Sequence, residues 1–475
     1  MTSAPATTRD PSKLDRRLWG ILLVVLLADV LDLMDSTITN IAAPTIEREL
    51  GGGEALIKWL GASYALAMGV FLVVGGRLGD RYGRRRMFLT GMSGFVAASL
   101  WCGLSAGPGM LIAGRLVQGA FGALLIPQGI GILITTLSRA QQPTAFVAFG
   151  PVLGGSAILG PILAGFIISA NIAGLTWRPI FLINIVLGGI GLVSAAKVLP
   201  HDTDMTGTRI DGIGAALLGL AMFGIIYGLI EGSTTHWAGI PVLSLIGGSL
   251  AFAGFGYRQV TAKNPLIAPT LLKNRGFVSG LIVGLAYFAA VNGLAYVVSL
   301  YFQLGLGLSA QRAAISLSPL MIGIIGASFA ARPLLARLGR TLVVIGLGVT
   351  TAGALALWIT TRHHTGGSVW VFAPAVLLLG AGMGLCFASI YDVAIGDVAR
   401  EEAGGASGSL SAVQQLASAI GAALVTTVYF GHLSTGATQA MAISVATVGA
   451  IVVACLGLVW LMPRNAPPED NTPPA

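Results

Sequence analysis

Long apolar stretches recur along the whole chain, and no other feature limits its fold so tightly. A helix rises about 1.5 Å per residue, so about 20 apolar residues cross the roughly 30 Å hydrocarbon core of a bilayer. We read such stretches at 19–41, 59–76, 88–106, 110–135, 144–168, 179–198, 212–231, 240–257, 276–302, 312–331, 341–361, 369–391, 404–430 and 437–462. Charged residues make up only 10% of the 475. A soluble domain carries about 25%, so this chain has too little charge to coat a water-facing globule. Its 67 glycines would weaken soluble helices, but in a membrane small residues let helix backbones approach and pack. The expectation is an all-α membrane protein of about fourteen transmembrane helices. The formal charge of +8 then bears on topology rather than on nucleic acid, for which no binding is expected.

Cys102, Cys386 and Cys455 each lie alone in an apolar run, with no zinc spacing and no disulfide framework. The five histidines lie in loops or at helix ends, and no metal site is expected. No phosphate-binding loop and no nucleophile triad is present, which speaks against an enzyme and against an ATP-driven pump. No removable signal peptide is expected at the polar, basic start of the chain.

Placing the N-terminus in the cytoplasm puts 21 of the 27 lysines and arginines on the inner side. The outer side receives Arg48, Lys58, Arg178, Arg312 and Arg362, and Arg115 falls within a helix. By the positive-inside rule we expect both termini in the cytoplasm and an even number of helices, with twelve and two misread segments as the alternative to fourteen. A faint repeat links Arg77-Leu78-Gly79-Asp80-Arg81-Tyr82-Gly83-Arg84 to Pro333-Leu334-Leu335-Ala336-Arg337-Leu338-Gly339-Arg340. It suggests a tail (1–18), a six-helix bundle (19–200), an inserted helix pair with a basic linker (201–275), a second six-helix bundle (276–462) and a second tail (463–475). Repeats of this kind suit a carrier whose two bundles rock about a central site.

Ionisable residues inside the membrane are the best pointers to function, because each costs about 2.5–3.5 kcal/mol to insert at a helix centre. The first stretch carries Asp29, Asp32 and Asp35, spaced three apart. Each is turned about 60° from the last, so the trio spirals along one side of the helix and must line a cavity or meet partners. Arg115 lies at a matching depth, roughly 8–9 Å below the outer end of its own helix. We expect it to pair with Asp35 or Asp32, and a carboxylate that moves between such surroundings can take up and release protons. On the sequence alone, Asp35→Asn would abolish proton-driven transport and leave the fold intact. Asp392 and Glu231, near helix ends, are expected to serve gates or interfaces.

Gly76-Arg77-Leu78-Gly79-Asp80-Arg81-Tyr82-Gly83-Arg84-Arg85-Arg86 resembles the signature loop of the major facilitator superfamily. Leu33-Met34-Asp35-Ser36-Thr37-Ile38-Thr39-Asn40-Ile41-Ala42-Ala43-Pro44 resembles the pattern of its fourteen-helix drug:proton antiporter branch. Arg115-Leu116-Val117-Gln118-Gly119, Trp177-Arg178-Pro179-Ile180-Phe181-Leu182-Ile183-Asn184 and Asn264-Pro265-Leu266-Ile267 agree with it. Gly150-Pro151-Val152-Leu153-Gly154-Gly155 and Gly160-Pro161-Ile162-Leu163-Ala164-Gly165 look like the Gly-Pro segment of antiporters, with Ala164 a departure from it. The resemblance covers about residues 19–462 and implies two bundles around a central cavity. It also implies a cytoplasmic latch of Gly76, Asp80, Arg81, Gly83 and Arg84, with Asp80 at the start of the stretch 404–430, and a coupling role for the helix 1 acids with Arg115. Asp29 departs from the usual family pattern. The expected partners are small amphipathic drugs, antiseptics or antibiotics, protons and lipid. The protein is expected to be a monomer in the bacterial cytoplasmic membrane, to need no cofactor and to draw on the proton gradient. A dedicated exporter of one metabolite on the same fold is the alternative.

Overall fold

The computed structural model describes residues 14–138, 141–202, 211–232, 235, 237–363, 366–396, 398 and 402–463. The helices are α1 (Arg16–Leu50), α2 (Gly53–Tyr82), α3 (Arg84–Gly103), α4 (Pro108–Thr136), α5 (Gln142–Ala170), α6 (Pro179–Val198), α7 (Gly212–Gly232) and α8 (Ile240–Thr261). They continue with a short α9 (Pro269–Lys273), α10 (Arg275–Leu300), a short α11 (Ala310–Ser316), α12 (Ser318–Leu338), α13 (Arg340–His363), α14 (Ala373–Ile395), α15 (Ala403–Gly431) and α16 (Ala437–Leu458).

Twelve of the described helices are long and apolar enough to cross a membrane, rather than the fourteen expected from the sequence. The two that fall short are α1, which carries the three aspartates, and α3, which opens on Arg84-Arg85-Arg86. Both are long regardless: α1 has 35 residues and runs on through Pro44, and α3 has 20. Asp15 starts α1 by accepting the Leu18 N–H at 2.8 Å, satisfying a backbone donor that the first turn leaves over.

The expected signature loop is mostly helix. Gly76 to Tyr82 belong to α2, the chain breaks at Gly83 with φ 97°, and α3 begins at Arg84. Only glycine takes such a conformation without cost, which is why a single residue suffices to turn one helix into the next. The repeat has the same geometry, since Gly339 breaks the chain at φ 48° and α13 begins at Arg340.

Helix pairing repeats as well. In the first half α2 packs on α4, α3 on α4 and α6, and α1 on α5 and α6. In the second half α12 packs on α14, α13 on α14 and α16, and α10 on α15 and α16. The same five pairings therefore occur twice, the pattern of two bundles built to one plan. α7 and α8 pack on each other, and α7 also touches α2 of the first half and α15 of the second.

Close approach of backbones holds these pairs together. A Cβ on Gly421 of α15 would lie 2.0 Å from the Ala289 carbonyl oxygen of α10, and one on Gly293 of α10 would lie 2.3 Å from the Gly421 oxygen. Without a hydrophobic drive between helices in lipid, such packing is the main source of their association. The halves meet in a seam near the C-terminal end of α1. There the Tyr296 hydroxyl donates to the Ile57 carbonyl at 2.7 Å, Gln303 donates to the Ile41 carbonyl at 3.2 Å, and Gly165 of α5 abuts Gln311 of α11.

Candidate functional site

Below that seam lies a cavity of about 380 Å³. Its walls come from α1, α2, α4 and α5 on one side and α10, α12, α14 and α15 on the other. The first half contributes Asp32, Tyr64 and Arg115, and the second contributes neutral groups, among them Asn292, Gln414 and Ser418. Asn292 donates to Ser418 at 2.8 Å across α10 and α15. Met321, Met383 and Phe387 supply adaptable apolar wall. The volume falls within the roughly 300–1,000 Å³ of clefts that take drug-sized ligands.

The three aspartates are all buried, at 7% exposed for Asp29, 6% for Asp32 and 1% for Asp35. Their spiral gives them different neighbours. Asp35 faces away from the cavity into a network joining α1, α3, α4 and α6. It is ion-paired with Arg115 and accepts from Gln118 at 2.9 Å and from Asn184 at 2.7 Å. Gln118 also donates to Ser99 at 2.8 Å and accepts from Arg115 at 2.7 Å. The Arg115 guanidinium lies over the Tyr64 ring at 4.4 Å and near Phe181 at 5.8 Å. A charge buried this deeply is tolerable only when paired and hydrogen-bonded, and this one is both.

Asp32 is placed otherwise. It lines the cavity and accepts a hydrogen bond from the Tyr64 hydroxyl of α2. Asp29 lies one turn further back, and its Oδ1 has no hydrogen-bond partner among the described residues. Of the two pairings that the matched depths left open, the structure makes the one between Asp35 and Arg115 and leaves Asp32 as the carboxylate on the cavity wall.

The signature residues lie at the far end of α2. Asp80 pairs with Arg84 at 3.1 Å, across the break at Gly83. The Arg81 guanidinium lies 5.2 Å from the Tyr82 ring centroid. Gly76 lies in open space except for Pro127, 3.8 Å from where a Cβ would stand. Asp392 is exposed at the end of α14. In α5, Gly160 packs against Met34 and Thr37 of α1, Gly154 against Ile325 of α12, and Pro161 lines the cavity. Gly155 has open space around it, and Gly150 and Pro151 lie within the same helix.

Sequence reasoning gave no role to Tyr64, Gln118, Asn184 or Lys58. The signal for Gln118 and Asn184 was present, since each is a lone amide inside an apolar helix and such groups need partners. Lys58 was expected on an outer loop. It lies inside α2 with its side chain fully buried, 3.7 Å from Glu54 and 5.4 Å from the Phe430 ring centroid of α15. Glu231 of α7 is nearby and accepts from the Trp59 indole at 3.2 Å.

At the cytoplasmic side expected from the charge pattern, Asp211 starts the α7–α8 pair. It accepts from the Gly214 N–H at 3.0 Å and is ion-paired with Arg258 of α8 at 2.9 Å. Burial alone would raise its carboxyl, but the hydrogen bonds from Arg258 and Gly214 and the charges of Arg258 and Arg77 hold it below the usual carboxylate value.

Two repeated helical bundles, with a mostly apolar cavity between them that carries a few polar groups, define a membrane carrier fold. The sequence pattern described as Major Facilitator Superfamily matches residues 25–422, and the chain belongs to that family. It is 38% identical over 441 residues to the probable actinorhodin transporter of Streptomyces coelicolor, covering 92% of this chain and 76% of that protein. It is 33% identical over 434 residues to the puromycin resistance protein of Streptomyces alboniger, covering 90% and 83%. Among solved structures it is similar to a D-xylose–proton symporter, with a TM-score of 0.67 at 15% identity, covering 94% of this chain and 98% of that one.

Proposed function

We propose that this protein exports a small antibiotic-like molecule across the bacterial cytoplasmic membrane in exchange for protons, and that it is not an enzyme. The observation that carries this reading is the Asp32 carboxylate on the wall of a drug-sized cavity between the two halves, held by Tyr64. As the bundles rock, such a group passes between water on one side of the membrane and water on the other. It can therefore load a proton in one state and release it in the next. Substrate in the cavity and proton on Asp32 occupy the same space, which is the simplest physical basis for exchange.

Export rather than import is supported by the resemblance of the α5 Gly-Pro segment to that of antiporters and by the names of the two relatives, a probable actinorhodin transporter and a puromycin resistance protein. Those names support an antibiotic as the class of substrate. Proton exchange is assigned first to Asp32, with Asp29 behind it, and Asp35 with Arg115 forms the fixed base that orients α1 against α4. The Gly76, Asp80, Arg81, Gly83 and Arg84 turn, with Asp392 on α14, is assigned to gating.

In this reading α1 and α3 cross the membrane along with the twelve more apolar helices, giving fourteen, with both termini cytoplasmic. α1 is roughly 50 Å long at 1.5 Å per residue, ample for a bilayer, and its acids point inward and so cost no lipid contact.

The test is substrate-induced proton release from everted vesicles, measured over a panel of antibiotics, dyes and cationic antiseptics. Release with one antibiotic class is expected. Accumulation of substrate with no proton movement would remove the exchange mechanism and leave a carrier with another energy source.

A further inference from the structure

A second depression lies outside the cavity, on the surface at the start of α3. It has a volume of about 800 Å³ and runs from Arg85, Arg86 and His201 down to Ser93, Gly94 and the Phe121 ring of α4. Its charge does not cancel. Arg84 is turned away from it, onto Asp80. The acid at its rim, Asp202, has both oxygens committed to the start of α3, accepting the Arg85 N–H at 2.9 Å and the Arg86 N–H at 3.2 Å. Asp202 thus offsets the positive helix end and leaves two guanidiniums over. Arg86 is exposed, and Arg85 donates to the Ala196 carbonyl at 2.6 Å with its Nε unpartnered among the described residues.

Away from the charges, the outward face of α3 is shallow and then apolar. Thr90, Ser93 and Ala97 are small and exposed, and Leu100, Trp101 and Leu104 follow on the same side. Gly94 deepens the channel, because a Cβ there would stand 2.2 Å from the Phe121 ring. A groove with cations at the helix end and small residues along its floor, continued beyond it by the exposed apolar side chains of Leu100, Trp101 and Leu104, matches one kind of occupant, an anionic head group with a hydrocarbon tail.

We propose that this groove binds an anionic phospholipid from the bilayer, its phosphodiester on Arg85, Arg86 and His201 and one acyl chain along Ser93, Gly94 and Phe121. Basic pockets between transmembrane helices suit such head groups. The bound lipid joins the start of α3, the side of α4 and the segment after α6, and so braces the turn at Gly83 from outside the protein.

The experiment measures phosphatidylglycerol retained by the purified full chain after washing in detergent with phosphatidylcholine, read by mass spectrometry. Wild type is expected to retain phosphatidylglycerol and to melt at a higher temperature when it is added back. The Arg85→Gln, Arg86→Gln double variant should bind it roughly 30-fold more weakly, from about two surface charges. Ser93→Trp keeps every charge and blocks the chain channel, so it should lose retention too and carries the test if the double variant does not fold. Equal retention by wild type and Ser93→Trp overturns the proposal. So does protection by inorganic phosphate equal to that by phosphatidylglycerol, which would make the site one for free anions.

Discussion

Asp35 and Arg115 form a buried ion pair, each side chain 1% exposed, in which only Arg115 reaches the cavity wall, while Asp32 on the same helix lines the cavity under the Tyr64 hydroxyl. Two carboxylates three residues apart therefore have different surroundings. Gln118 and Asn184 fill the remaining acceptor positions of Asp35, so the carboxylate is tied to α4 and α6 in one geometry.

Replacing Asp35 by Asn leaves the guanidinium of Arg115 buried without its counter-ion. Breaking a buried pair from one side costs about 3–5 kcal/mol, so the variant should be produced poorly and melt well below wild type in detergent. This differs from the expectation drawn on the sequence, where Asp35 was a titrating group whose loss would spare the fold. Thermal unfolding decides between them, and a wild-type melting temperature for Asp35→Asn would return Asp35 to the transport mechanism.

Asp32→Asn should behave in the opposite way. The amide oxygen can still accept from Tyr64, so stability should stay near that of wild type. What is lost is the exchangeable proton. Proton release on addition of substrate should disappear, while exchange of labelled for unlabelled substrate across vesicles without a pH gradient should persist. Normal proton release from this variant would exclude Asp32 as the coupling group.

The ion pair between Asp211 and Arg258 predicts acid sensitivity of the α7–α8 pair. A carboxyl held below its usual value in the folded state stabilises the fold at any pH above that usual value. The contribution fades as pH falls through the lowered one. Protection from hydrogen exchange over 212–261, after correction for the intrinsic exchange rate at each pH, should therefore fall as pH drops through the acid range. Asp211→Asn keeps the cap on Gly214, since asparagine caps as well as aspartate, and removes only the charge. Because Arg258 is 35% exposed, the loss should be no more than about 1 kcal/mol, and the pH dependence should flatten. An unchanged pH profile in the variant would assign the sensitivity to another group.

Much of this arrangement was legible before the structure. Helix positions followed from apolar stretch length, because a bilayer leaves the backbone no other way to satisfy its hydrogen bonds. That Arg115 would meet Asp35 or Asp32 followed from rise per residue together with the resemblance, which places the first and fourth helices side by side. Three things were not legible. Helix ends such as Gly53 and Leu50 lie beyond the apolar runs, where polar residues carry the helix on and hydropathy is silent, and Lys58 was misplaced for that reason. The signature segment was read as loop although its glycines sit mostly inside α2, because one positive-φ glycine is enough to make the turn. The choice between Asp32 and Asp35 depends on which partners face each acid across four helices, and spacing along one helix carries no record of that.

Gly61 of α2 offers a direct test of the seam that closes one end of the cavity. A Cβ there would stand 2.4 Å from the Tyr296 ring and 3.1 Å from Ala422, so α2, α10 and α15 meet around a missing side chain. Tyr296 also spans the halves through its bond to the Ile57 carbonyl. Gly61→Leu places four carbons where there is room for none, and overpacking of this kind costs about 1–3 kcal/mol. Most of that cost falls on the closed arrangement, since the two halves can relieve it by moving apart. The variant should therefore favour states in which this end is open. Ser299, on the cavity wall, reports the change when replaced by Cys and exposed to a membrane-impermeant thiol reagent, because the three native cysteines are buried. Labelling of Ser299→Cys should rise in the Gly61→Leu background and transport should slow. If labelling and transport both match those of the parent, the contact at Gly61 does not control closure, and the seam must open by a route that leaves α2 and α10 in place.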